Sequence, residues 1–243
     1  MSPPDSPHEN SNPGASLLFA EGARPTACAL VSLFDSPAML GIGAVVANRS
    51  RVPGNAIEVL SGGLAFDLRF AEGQALQDGD GRHSPNGQVI RIAPGEHVSA
   101  GATLLPVVRA LAGLVANLAL HLPVAAISWD MAGTVAEPHA FSRSALNWLA
   151  GGPFPAQCLT SLSFKSDGSI VSEGLIHFTG QEMHLVGAEG EDEASTMRLA
   201  VGVVDQLVRQ GRLLLPMELT VAGAALLAEP SQFEDRVWVW RKR

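Results

Sequence analysis

The sequence predicts an α+β protein with a mixed, largely antiparallel sheet and packed helices, and three observations carry that prediction. Leu64, Phe66, Leu68 and Phe70 alternate with small, acidic and basic residues, the period of a half-buried strand. Asp167-Gly168 lies between two apolar runs, a strong hairpin signal. Met197, Ala200, Val201, Val204, Leu207 and Val208 share one helical face, with Glu191, Asp192 and Glu193 at the N-terminal end and Arg209 near the other, as the helix dipole favours.

In chain order, residues 1–22 read as a solvated, disordered tail, because the opening MSPPDSPHENSNPG is polar and rich in Pro and Asn. Thr26–Phe34 is apolar and reads as a strand; Asp35-Ser36-Pro37 then starts a short helix toward Ala47, weakened by Gly41 and Gly43. Gly63–Ala71 is the alternating strand. The segment EGQALQDGDGRHSPNG reads as a surface loop, and Gln88–Ala93 returns as a strand stopped by Pro94-Gly95. Thr103 is placed to cap a helix running to Leu120 whose apolar positions leave little polar face, so burial on more than one side is expected. Pro123 launches a near-continuous apolar strand, PVAAISWD, suited to the middle of a sheet.

Glu137–Leu149 reads as a helix closed by Gly151-Gly152-Pro153. Strands are expected over Ala156–Lys165, Ser169–Phe178, Glu182–Val186, Glu218–Ala222 and Arg236–Arg241, with the amphipathic helix Glu189–Gln210 among them. This order fits two related split-βαβ halves, 23–150 and 151–243, or one continuous domain.

Composition narrows function. The 243 residues are 47% hydrophobic and 16% charged, enough for a real core. Tyrosine is absent and aromatics reach 5%, which argues against base-stacking platforms and aromatic cages. A net charge of −8 with scattered Lys and Arg argues against a nucleic-acid partner. The run Leu104–Leu122 contains Pro106, Arg109, Asn117 and His121, so it reads as a core helix, and no membrane association is expected. No export signal is legible at the N-terminus, so a cytoplasmic location is expected, with Cys28 and Cys158 as buried free thiols.

The stretch GLIHFTGQEMHL, Gly174–Leu185, concentrates the candidate chemistry. Glu182 and His184 stand two apart on a strand and so share a face, and His177 can approach through the Thr179-Gly180 turn; two His and one carboxylate form a workable zinc or iron ligand set. Asp130 at a strand end, with His139 nearby in sequence in the next helix, is a candidate general base. The chain has no G-x-S-x-G elbow, Walker loop or calcium loop spacing, and no cofactor is expected.

Gly174-Leu175-Ile176-His177-Phe178, with Glu182 four residues on, resembles the G-L-x-x-F-x-x-x-E signature of a bacterial domain family known only as a domain of unknown function, numbered forty-two sixty-one. The likeness covers roughly residues 123–241, including Pro153-Phe154-Pro155; the family usually has glycine directly after the phenylalanine, where this chain has Thr179 and then Gly180. The resemblance implies structural roles: backbone freedom or close approach at Gly174, core positions for Leu175 and Phe178, and the start of a strand at Glu182.

Three functions remain in view, a small-molecule-binding module being the third beside the two that follow. One is a non-catalytic cytoplasmic protein acting through a protein partner or as a homo-oligomer. The other is a metal-assisted hydrolase using His177, Glu182 and His184.

Overall fold

The computed structural model describes residues 13–47, 56–72, 88–188, 190–233 and 235–242. The chain opens with strand β1 (Ala15–Phe19), helices α1 (Ala27–Phe34) and α2 (Pro37–Gly41) and the two-residue strand β2 (Val45–Val46). Strands β3 (Ala56–Ser61), β4 (Leu64–Glu72) and β5 (Gln88–Pro94) follow, then a 3-10 turn at Glu96–Gly101, helix α3 (Leu105–His121), and strands β6 (Val124–Trp129) and β7 (Thr134–Ala136). These strands form one sheet, β2-β3-β4-β5-β1-β6-β7, with antiparallel pairing throughout.

Helix α4 (Pro138–Leu149) leads to the one-turn helix α5 (Ala156–Leu159), strands β8 (Ser161–Phe164) and β9 (Ile170–Glu173), the one-turn helix α6 (Ile176–Thr179) and strand β10 (Glu182–Leu185). Helix α7 (Glu193–Gln210) and strands β11 (Met217–Val221), β12 (Ala224–Pro230) and β13 (Arg236–Arg241) complete the chain. The second sheet runs β11-β12-β13-β10-β9-β8, antiparallel except for β10 against β13. The fold is α+β. Its two sheets follow different strand orders, so they are not two copies of one connection pattern.

The inward residues of the first sheet, Leu17, Phe66, Leu68, Ile90, Ile92 and Ile127 among them, are buried on the side where α3 packs. Helix α4 packs beside α3 and also reaches β6: Ser142 Oγ donates to the Ala116 carbonyl at 2.9 Å, a Cβ on Gly113 would sit 3.1 Å from Leu149 Cδ1, and Phe141 meets Trp129 at 6.1 Å. That double contact explains the nearly all-apolar α3 sequence. Described helices include none long and apolar enough to cross a membrane. Aromatic rings link α4 to the second half of the chain: the Arg109 guanidinium lies 4.6 Å over Trp148, Trp148 meets Phe154 at 5.3 Å, and Phe154 meets Phe178 at 4.7 Å, both ring pairs edge-on.

Several expectations are corrected. The solvated tail cannot extend to residue 22, since every residue of β1 is buried between β5 and β6; residues 1–12 lie outside the described residues. Residues 27–34 are helical rather than extended, because Thr26 Oγ1 accepts the Ala29 N–H at 3.2 Å and Leu30 and Phe34, four apart, reach the core. Helix α2 stops at Gly41 and leaves room for β2. Thr103 is not the cap of α3; Leu104 holds that position without a side-chain bond. Strand β6 lies one from the edge, beside the short β7. Residues 156–159 and 176–179 form helical turns within the two segments read as strands, and β12 was not anticipated. Cys28 is exposed and Cys158 half-buried, both as free thiols. The loop at 73–87 lies outside the described residues.

Candidate functional site

Glu182 is the hub of the Gly174–Leu185 stretch. One carboxylate oxygen accepts the Gly174 N–H at 2.8 Å and the Ile176 N–H at 3.2 Å, and the other accepts the Ser172 hydroxyl. Ser172 Oγ in turn accepts the Met183 N–H at 2.7 Å. The carboxylate thus satisfies the backbone where β9 ends and α6 begins. Gly174 makes the turn possible: its φ is +86°, and a Cβ there would lie 2.6 Å from Ala132 Cβ and 3.0 Å from the Met131 carbonyl oxygen. Leu175 and Phe178 are buried, and Gly180, with φ +77°, closes α6.

The three candidate ligands do not converge. Glu182 and His184 share a face of β10, but the His184 ring stacks on Trp238 of β13 at 4.2 Å, while the Glu182 oxygens are engaged by Ser172, Gly174 and Ile176. His177 on α6 is close enough to feel the Glu182 charge; burial pushes its pKa below the usual histidine value, and Glu182 opposes that shift. Among the described residues, no group of three or more His, Cys, Asp or Glu is placed to hold a metal ion.

Asp130 and His139 also stay apart. His139 is exposed in the first turn of α4, where the Glu137 carboxylate caps its N–H at 2.9 Å and that of Ala140 at 2.6 Å. Asp130 belongs to the face of the first sheet opposite α3. Ser128, Ser16, Arg91 and Arg69 are register partners across β6, β1, β5 and β4, forming one polar row. Ser128 Oγ donates to Asp130 at 3.2 Å, Ser16 Oγ at 3.4 Å, and Arg91 Nε stands 3.5 Å away. Burial raises the Asp130 pKa above its ordinary value, against the pull of Arg91 and the two hydroxyls.

The feature that sequence reasoning missed is an apolar end of the second sheet. Leu214 and Leu215, in the loop between α7 and β11, are 79% and 76% exposed, and Phe233, between β12 and β13, is 94% exposed. The Arg212–Asp235 ion pair, 2.5 Å, ties the two loops together. Arg212 also donates to the Gly180 carbonyl at 2.7 Å, and buried Gln181 exchanges hydrogen bonds of 3.1 and 2.8 Å with the Leu213 backbone. A groove of about 350 Å³ runs along this loop, lined by Gln210, Arg212, Leu214, Pro216 and Met217 among others. The signal in the sequence was the unbroken LLLP after Gly211, which has neither a strand's alternation nor a helix's period.

Comparison with protein-family models, with curated proteins and with solved structures finds no match to this chain.

Proposed function

We propose that this protein acts in the cytoplasm through protein–protein contacts made by the end of the second sheet, without catalysis of its own. The observation that carries the reading is the exposure of Leu214, Leu215 and Phe233 on loops anchored from beneath. Single exposed apolar residues are ordinary; three large ones on two linked loops match the aromatic and aliphatic anchors of protein interfaces. Preorganisation supports the reading further, because the loop's polar anchors are already bonded and little ordering entropy is left to lose on binding. Under the same reading, the resemblance to the domain of unknown function numbered forty-two sixty-one marks a structural element: Gly174, Leu175, Phe178 and Glu182 build the turn beside Gln181 on which the Leu213 backbone rests.

The test is site-specific photo-crosslinking in living cells. A photoreactive amino acid at position 214 or 233 is expected to give a discrete adduct, with this chain or another protein, that the same group at exposed Lys165 does not give. Equal labelling at all three positions, or none, overturns the proposal.

A further inference from the structure

The polar row on the first sheet borders a cleft that the protein-contact reading does not use. It encloses about 200 Å³ between β4, β5 and the 3-10 turn, with Asp67, Arg69 and Arg91 on one side and Pro13, Ala93 and Pro94 as apolar walls. Arg69 and Arg91 are direct register partners, so two guanidinium groups share one face of adjacent strands. Like charges placed opposite each other oppose pairing; Asp67 and Asp130 offset part of that repulsion from the sides, and an anion bridging the two guanidinium groups offsets more of it.

Each arginine is only partly engaged. Arg69 Nη2 donates to Asp67 at 3.1 Å, and Arg91 makes a 3.5 Å ion pair to Asp130 through Nε alone. Among the described residues the Arg91 Nη groups make no hydrogen bond, leaving the planar edge that binds carboxylates bidentately. With Asp67 and Asp130 close by, the four side chains sum to no net charge, so a second negative charge on the ligand meets repulsion. That favours a singly charged carboxylate over a phosphate dianion. At about 30 Å³ per water the cleft has room for roughly seven waters, which suits a ligand of about six non-hydrogen atoms. We infer that this cleft binds a small monocarboxylate, its carboxylate on Arg91 and Arg69 and its short apolar chain against Pro13, Ala93 and Pro94.

The experiment is an amide NMR titration of the full chain with butyrate, and separately with inorganic phosphate and butylamine. Saturable shifts at Arg91, Ala93 and Ser99 are expected with butyrate alone, with a dissociation constant on the order of 1 mM, as so few atoms allow. Arg91→Gln is expected to weaken binding at least about tenfold. Asp130→Asn, which frees the guanidinium, is expected to tighten it several-fold; the two signs together separate a binding site from general destabilisation. Ala93→Leu fills the cleft without changing charge and is expected to abolish binding. No saturable shift with butyrate, unchanged affinity in Arg91→Gln, or equal saturation by phosphate or butylamine each overturns the inference. Because no variant touches Leu214, Leu215 or Phe233, failure here leaves the protein-contact reading intact.

Discussion

The Gly174–Glu182 turn and the Leu213–Phe233 end are neighbours in space, joined through Gln181 and Arg212, yet they handle their side chains in opposite ways. In the first, the Glu182 carboxylate takes up two backbone amides and a hydroxyl, while Leu175 and Phe178 are buried. In the second, the polar groups of Arg212 and Leu213 are bonded equally well but the adjoining large apolar side chains stay in water. The difference is what the proposed protein-contact reading rests on: a rigid support keeps the leucines exposed, where a loose loop would collapse them onto the nearest apolar surface. Glu182, one of the residue types that suggest chemistry, belongs to the support.

The first of the two regions is most sensitive at Gly174. Gly174→Ala adds a left-handed backbone penalty to a clash with Ala132, and a loss of about 3 kcal/mol in urea unfolding is expected. Removing the link between the two regions comes next: Gln181→Ala leaves the buried Leu213 N–H and carbonyl without partners and is expected to cost about 2 kcal/mol. It should also quicken hydrogen exchange at Leu214 and Leu215, which unchanged exchange would contradict.

A turn elsewhere in the second sheet gives a smaller effect of opposite sign. Ala222, with φ +50°, sits beside Gly223 in the two-residue turn joining β11 to β12, and Ala222→Gly is expected to raise stability by about 1 kcal/mol. Asp130 differs from Glu182: it is half-buried beside two hydroxyls and a more distant guanidinium and, among the described residues, has no backbone N–H donors to its carboxylate. A pKa raised in the folded state means that its contribution to stability is full below the ordinary value of 3.8 and is lost as pH rises through the folded value. Wild-type stability is therefore expected to decline relative to Asp130→Asn between acid and neutral pH, read from paired denaturant curves; a flat difference would contradict the burial argument. The smallest change belongs to the exposed end: replacing Leu214, Leu215 and Phe233 by Ser is expected to move stability by less than about 0.5 kcal/mol per site, while abolishing the photo-adduct formed from a probe at neighbouring Met217.

Much of this architecture is legible in the residues alone. The alternation over Leu64–Phe70, the Asp167-Gly168 turn, the amphipathic stripe of α7 and the nearly all-apolar α3 each state a local rule that their neighbours do not contradict. The shared face of Glu182 and His184 follows in the same way, from the period of a strand.

The residues alone specify the α+β class and the elements whose pattern repeats over at least two turns or four alternations. Tertiary structure alone decided the short pieces. ASLLF became an interior strand because β5 and β6 present open backbone on either side of it, and ACALVSLF became a helix because Leu30 and Phe34 reach the core from one face. Ala222-Gly223 made a hairpin without an Asn or Asp to announce it, and the Gly174–Gly180 turn formed because Glu182, eight residues on, supplies acceptors for its amides. The physical reason is common to the three longer runs: a run of four to eight residues fits either geometry at nearly equal local cost, and the groups that settle the choice come from outside the run.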